Sequence, residues 1–383
     1  MKITEDVRYV GVSDREIDLF EGQYKVPDGM AYNSYVILDE KVAVFDTVDK
    51  KFGDEWLENL ERELNGRTPD YLVVLHMEPD HSANIAKFAG VYKNAKIVSS
   101  AAAFRMMKAY FGDEFADRRV VVKENDKLNL GKHELTFVGA PMVHWPEVVT
   151  AYESSEKLFF SADAFGKFGA FDVGGDWACE ARRYYFGIVG KYGAQAQALL
   201  KKAATLDIKK ILPLHGPVLC ENLGYYLGLY NTWSSYGVES EGVTIAYTSV
   251  YGHTEKAVLM LKDELEKSGV KVAVHDLARC DESEAVEDAF RYGKLVLATT
   301  TYNASIFPFM KTFIDALTER NYKNRKIGFM ENGSWAPTAA KIMRSAFENS
   351  ENVEFYQTTV KLVGAVSEEN EEQIKTLAKE IIG

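Results

Sequence analysis

Cysteine is scarce in this chain: Cys179, Cys220 and Cys280 are the only three among 383 residues. Their wide separation and odd number exclude a disulfide framework and any Cys-x-x-Cys site for zinc or iron. A reducing, cytoplasmic setting is expected. No apolar run approaches the roughly 18 residues that span a bilayer. The opening MKITEDVRYV lacks the apolar stretch of a secretory signal, so no membrane association is expected. Positive charge is in deficit, with a formal net charge of −12, which disfavours nucleic acid and anionic membranes as partners. The G-x-G-x-x-G fingerprint is absent, so a dinucleotide site is not indicated. Internal repeats and low-complexity tracts are also missing. What remains is an ordinary globular composition, 46% hydrophobic and 27% charged. At 383 residues the chain is long for one hydrophobic core, so two domains are expected.

The C-terminal part alternates strictly. Apolar strand runs (VTIAYTS, VKVAVHDL, KLVLATTTY, RKIGFMENGSW, VEFYQTTVKLVG) are each followed by a helical pattern. Pro308 falls in the first turn of one of these helices, where proline is tolerated. Five strands alternating with five helices predict a parallel sheet covered on both faces, the doubly wound α/β arrangement.

The first 240 residues have another grammar. NSYVILDEKVAVFDTV reads as a hairpin around Asp39 and Glu40, and KFGDEWLENLEREL as a helix. Further strands and helices alternate in blocks, including one long helical region over ACEARRYYFGIVGKYGAQAQALLKKAATL. This grouping predicts two sheets sandwiched by helices, an αββα arrangement. The polar, glycine-bearing SSYGVESEG (234–242) sets the expected boundary, giving domains 1–240 and 243–383.

Histidine is also sparse, seven in all, yet LHMEPDHSAN (75–84) holds His76, Glu78, Asp80 and His81 within six positions. The strand YLVVL delivers His76 to a sheet edge. In an extended segment His76, Glu78 and Asp80 share one side, and Pro79 then starts a helix that turns His81 toward the same centre. Imidazole and carboxylate are the ligands of choice for iron, manganese and zinc. His144 in PMVHWPE, Asp163 in LFFSADAF and His215 in ILPLHGP each follow an apolar strand, the placement of a site built on a sheet rim. The competing reading makes each a capped or core residue, and for His144 or His215 alone that reading is favoured. Asp46 in AVFDTV is a candidate acceptor for a ligand histidine, or equally a hairpin-end aspartate. His133 reads as a turn or surface residue and His275 as a strand residue, both outside the site.

A second cluster of signals lies in the doubly wound half. TSVYGHTEK joins its first strand to its first helix, where hydroxyls and backbone N–H groups can wrap a phosphate. The loops TTTYNASIFP and ENGSWAP emerge at the same carboxyl edge of the sheet, where ligands bind in such folds.

These motifs resemble the flavodiiron proteins, which join a metallo-β-lactamase-like domain to a flavodoxin-like domain. The resemblance covers essentially the whole chain, and its most specific feature is H-x-E-x-D-H. It implies a non-haem di-iron centre with His76, Glu78 and His144 on one iron, Asp80, His81 and His215 on the other, and Asp163 bridging. In some members the histidine matching His81 turns away. Thr248, Ser249, Tyr251, Gly252, His253 and Thr254 resemble the flavodoxin phosphate loop for FMN. Thr300, Tyr302, Asn303 and Ala304 resemble one wall of the isoalloxazine site, and Gly333, Ser334 and Trp335 the other. The implied activity is reduction of dioxygen to water or of nitric oxide to nitrous oxide. The family's head-to-tail dimer, which brings the FMN of one subunit to the irons of the other, implies a homodimer or a dimer of dimers. With no Cys-x-x-Cys module after the second domain, electrons are expected from a separate donor such as a rubredoxin or a flavin reductase.

Two rival functions share these residues. One is a zinc hydrolase of metallo-β-lactamase type with an appended flavodoxin domain, against which Glu78 counts because such hydrolases carry a second histidine there. The other is a plain electron carrier with an inert N-terminal scaffold, against which the near-complete ligand set counts.

Overall fold

The computed structural model describes residues 1–113 and 115–383. The chain divides into two compact units, Met1–Asn231 and Thr232–Gly383. The helix Leu223–Ser234 carries the chain across that division. Among the described residues no helix is long and apolar enough to cross a membrane.

The first unit is built on two sheets. The six-stranded sheet runs Val7–Tyr9, Tyr35–Leu38, Val42–Phe45, Tyr71–Val73, Lys96–Ser100 and Arg119–Val122. Its first two pairings are antiparallel, including the hairpin expected at Asp39–Glu40, and the rest are parallel. The five-stranded sheet runs Lys127–Asn129, Glu134–Gly139, Val149–Glu153, Leu158–Phe160 and Lys210–Leu212, with only the last pair parallel. Phe45 and Phe160 stack face to face across the two sheets at 3.9 Å and 5°. Such a buried pair contributes about 0.5–1.5 kcal/mol beyond its area burial. It also aligns the two strand ends from which Asp46 and Asp163 emerge. The helix Gly53–Leu64 turns Trp56, Leu57, Leu60 and Leu64 inward on one face and stops at left-handed Asn65.

The long helix expected over 178–206 is broken. A helix Trp177–Tyr184 passes into a π turn Tyr185–Val189, a 3-10 turn Gly190–Tyr192, and a second helix Gly193–Ala203. Gly187, Gly190 and Gly193 weaken helix continuity by about 1 kcal/mol each. A β-carbon on Gly187 would sit 3.1 Å from the Tyr24 ring, so close approach is the use made of that glycine.

The second unit is the doubly wound sheet expected. Five parallel strands lie in the order Val272–Asp276, Ser240–Tyr247, Tyr292–Tyr302, Arg325–Asn332, Val353–Leu362. The strand order reverses between the first and third strands, which opens a crevice at their carboxyl ends. Its core gathers Ile245, Leu261, Val296, Met330 and Leu377. The closing helix Glu368–Ile382 starts with a capping box between Ser367 and Asn370 and an acidic first turn. The helix expected over 337–350 is helical only at Ala339–Ser345.

Candidate di-iron and flavin sites

The strand Tyr71–Val73 ends three residues before His76, and the four-residue helix Pro79–Ser82 begins just after Glu78. This bend decides the ligand geometry. The seven carboxylate and imidazole side chains expected from the sequence come together, but in two groups: His76, Glu78, His144 and Asp163 form one, and Asp80, His81 and His215 the other. Within each group one ligand atom per residue lies within 4.8 Å of every other. Asp163 faces both. Its Oδ2 stands 3.1 Å from His144 Nε2 and 3.4 Å from His76 Nε2, while its Oδ1 stands 3.3 Å from His81 Nε2 and 3.9 Å from His215 Nε2. Glu78 Oε2 lies 3.0 Å from His144 Nε2, and Asp80 Oδ2 lies 3.3 Å from His215 Nε2 and 3.4 Å from His81 Nε2. Left-handed backbone at Ala162 and Phe165 flanks Asp163, strain of the kind found at functional sites.

The tautomers follow from the outer partners. His215 Nδ1 lies 2.7 Å from the Ala31 carbonyl oxygen, which can only accept, so Nδ1 carries the hydrogen. His76 Nδ1 lies 2.8 Å from Glu147 Oε1, which also accepts the Met77 backbone N–H at 2.8 Å. Nε2 of each ring is therefore the nitrogen turned inward, and it would offer its lone pair to a metal that displaced any proton there. Glu147 is the acceptor the sequence reading missed. Asp46, the candidate named from sequence, is fully buried and accepts the backbone N–H groups of Leu75 and His76 instead. Glu147 could have been found only as the carboxylate of HWPE, three residues after His144.

The result is a buried space walled by acceptors. His81 and His215 bring Nε2 atoms within 3.0 Å of each other, and His76 and His144 within 3.4 Å. Among the described residues neither oxygen of Asp163 nor either of Asp80 has a hydrogen-bond partner. Burial alone would pull the His76 imidazole down, yet Asp163, Glu147 and Glu78 outweigh it and hold it well above its usual value. Burial likewise opposes, and Asp163 and Glu78 overcome it, at His144, which is pushed up to about 9. Burial would raise the Asp163 carboxyl, and His76, His144 and His81 drive it well below instead. Such a constellation calls for positive charge at its centre, and two divalent or trivalent cations with N and O ligands meet that demand.

Aromatic rings close the space. Phe20, Tyr32 and Tyr184 pack on the His215 ring at 5.5, 6.0 and 5.5 Å, and Trp145 packs edge-on against His76 at 5.4 Å. His133 proves not to be a turn or surface residue. It is fully buried, with Nδ1 2.9 Å from Glu153 and Nε2 3.2 Å from Asp6, far along the sheet from this centre. His275 lies in its strand, 3.0 Å from Asp288.

In the second unit a cavity of 380 Å³ opens at the strand-order reversal. That is within the roughly 300–1,000 Å³ of small-ligand sites. Of the residues expected for FMN, Ser249, Tyr251, His253 and Thr254 line it from the first loop, Thr300, Tyr302, Asn303 and Ala304 from the second, and Gly333, Ser334 and Trp335 from the third. Thr248 and Gly252 stand behind the wall. Thr248 shares a 2.6 Å hydrogen bond with Thr299, and Gly252, at φ +86°, donates its N–H to Ser249 Oγ. Val250, Thr301, Asn332 and Gly364 also line the cavity and were not anticipated.

Residues 30–216 match the family described as ODP family beta lactamase, and residues 245–379 match Flavodoxin. The structure aligns with the rubredoxin oxygen:oxidoreductase of Desulfovibrio gigas at a TM-score of 0.92 and 25% identity, covering 100% of this chain and 97% of that one. The chain belongs to the flavodiiron proteins. Flavodiiron architecture is shared with the Giardia intestinalis member, TM-score 0.90 at 24% identity over 100% and 96% of the two chains. By sequence it is 29% identical to a nitric oxide reductase of Moorella thermoacetica over 89% of this chain and 88% of that protein. A Synechocystis diflavin flavoprotein is 28% identical over 88% of this chain, which spans only 59% of that longer protein. As a flavodiiron protein the chain takes FMN in its flavodoxin-like unit and a non-haem di-iron centre in its lactamase-like unit.

Proposed function

We propose that this protein reduces dioxygen to water, nitric oxide to nitrous oxide, or both, with electrons entering through FMN from a separate donor. The observation that carries the reading is Asp163, whose two oxygens face the two ligand groups separately. In this reading His76, Glu78 and His144 would hold one iron and Asp80, His81 and His215 the other, with Asp163 available to both. When bound, FMN passes electrons singly or in pairs and the two irons bind a diatomic gas and reduce it.

The chain's own residues supply charge, protons and dryness. Glu78 adds a negative charge and a hard oxygen donor, which favours higher iron oxidation states over an all-histidine site. The Tyr184 hydroxyl is buried and has no hydrogen-bond partner among the described residues, and burial and then the charges of Asp163, Glu78 and Asp80 raise it well above its usual value. It therefore keeps its proton at neutral pH and is a hydrogen-bond donor beside the His215 ring. Phe20, Tyr32 and Trp145 exclude bulk water around the ligand rings.

The rim of the FMN cavity exposes Tyr251, Trp335 and Val363, which supports a homodimer or dimer of dimers whose second copy covers this apolar edge. Three free cysteines support a cytoplasmic setting. A rubredoxin or a flavin reductase suits the donor role. The test is single turnover with each gas, on protein whose iron and FMN have been counted and which has been reduced under argon with stoichiometric dithionite before the gas is added. Fully loaded protein that consumes neither gas refutes the reading, and zinc with hydrolytic turnover replaces it.

A further inference from the structure

The flavodoxin-like unit carries a second recess of 380 Å³, distinct from the FMN cavity. Lys341 and Arg344 reach it from the helix Ala339–Ser345, and Lys361 from the outer strand Val353–Leu362. Thr338 and Thr359 add hydroxyls, and Glu331 is the one acid in the lining. That carboxylate is already engaged, because its Oε2 accepts the Ala340 N–H at 2.9 Å. None of the three cations makes an ion pair among the described residues; other lysines of the unit, such as Lys271 and Lys326, are unpaired too, but here three cations line one recess. The Arg344 guanidinium stacks on Phe355 at 4.5 Å and Phe329 at 5.3 Å. Stacking fixes the group in place and leaves its in-plane N–H donors free for an oxygen acceptor.

The recess shares a wall with the flavin cavity. Asn332 to Trp335 line the cavity, and Pro337 and Thr338 line the recess. Thr301 Oγ1, inside the cavity wall, accepts the N–H groups of Thr338 at 2.9 Å and Ala339 at 3.2 Å.

We propose that this recess is the docking seat of the electron donor, and that the donor is a small acidic redox protein. The proposal rests on the function given above and names the partner it requires. On a chain of net charge −12, an acidic partner is repelled by most of the surface. A local group of unpaired cations beside the flavin then selects one approach, and that approach is the productive one. Lys341 and Lys361 are exposed. Long, hydrated lysines at the rim of an open recess steer a protein surface, whereas a small anion needs buried, pre-fixed donors to hold it.

The test is stopped-flow reduction of FMN in the holoenzyme by prereduced acidic rubredoxin, across a sodium chloride series. The double variant Lys341→Glu/Lys361→Glu should lower the second-order rate about tenfold at low salt, with the difference closing near 0.5 M salt. A control with the same change of net charge, Lys262→Glu/Lys375→Glu, should match the parent. Equal losses in both variants, or a loss independent of salt, overturn the proposal. Binding of inorganic phosphate that is abolished by the recess variant, with rubredoxin transfer unchanged, overturns it in favour of a small-anion site. Single turnover of the parent, reduced with stoichiometric dithionite and then mixed with either gas, separates the two claims: if it occurs while rubredoxin transfer ignores the recess, only the docking seat fails.

Discussion

Glu147 Oε1 binds two consecutive residues of the metal segment, taking the Nδ1 hydrogen of His76 and the backbone N–H of Met77, each at 2.8 Å. One buried carboxylate thus fixes both the tautomer of a ligand ring and the backbone that carries it. The Glu147→Gln variant keeps an acceptor oxygen but loses the charge that makes His76 a strong donor. Iron affinity should fall about 10–100-fold, the usual cost of an altered outer partner. Iron counted per FMN after dialysis against a chelator reads this directly, and an unchanged count rules out the positioning role.

Tyr184, like Tyr32, packs its ring on His215, and burial and then the charges of Asp163, Glu78 and Asp80 keep its hydroxyl protonated. Tyr184→Phe preserves the packing and removes the proton. Gas turnover at full iron and FMN loading should drop about 100-fold, within the range of a lost general acid. Parent-like turnover would reduce Tyr184 to a wall residue.

Trp335 is 81% exposed although it lines the flavin cavity, so its surface is available to the isoalloxazine ring and to a covering partner. Trp335→Ala should weaken FMN binding by up to about tenfold, the worth of one stacked aromatic. Iron content should not move. Flavin titration of the apoprotein is the measurement, and an unaltered affinity dismisses the contact.

His133 gives a pH signature apart from the metal. Burial lowers its pKa, but Glu153 and Asp6 outweigh that, with Asp39 adding to them, and the value is raised. A group raised in the folded state stabilises the fold fully below its unfolded pKa and loses that contribution as pH rises through the folded value. The stability gap between the parent and His133→Asn should therefore be widest below about pH 6.5, the unfolded value, and narrow above it. At its widest it should be about 1–3 kcal/mol, since the buried Glu153 loses a charged partner. Urea unfolding at a series of pH values checks the sign, and a gap that grows with pH contradicts it.

The division of labour between sequence and structure is visible in particular residues. Strand runs ending in His76, Asp163 and His215 were legible, because a buried parallel strand is written as an apolar run and its end as a small or polar residue. The loops at Ser249, Asn303 and Ser334 were legible for the same reason, since doubly wound topology puts every such loop at one edge. His133 was misread because its partners Glu153 and Asp6 are 20 and 127 residues away. For Asp46 the sequence leaves two roles open, an imidazole's acceptor or a hairpin-end aspartate, and Glu147 holds the imidazole, because which carboxylate reaches a ring nitrogen depends on how two sheets are set against each other.

The sequence by itself determined the two folds, the ligand types and the kinds of cofactor they suit, since these follow from period, composition and local spacing. Only the tertiary structure decided that His76 and Glu78 part company with Asp80 and His81, that Asp163 turns one oxygen to each group, and that Lys341, Arg344 and Lys361 gather in a recess beside the flavin cavity. Those outcomes are set by distances between segments far apart in the chain, and no local pattern of residues encodes a distance of that kind.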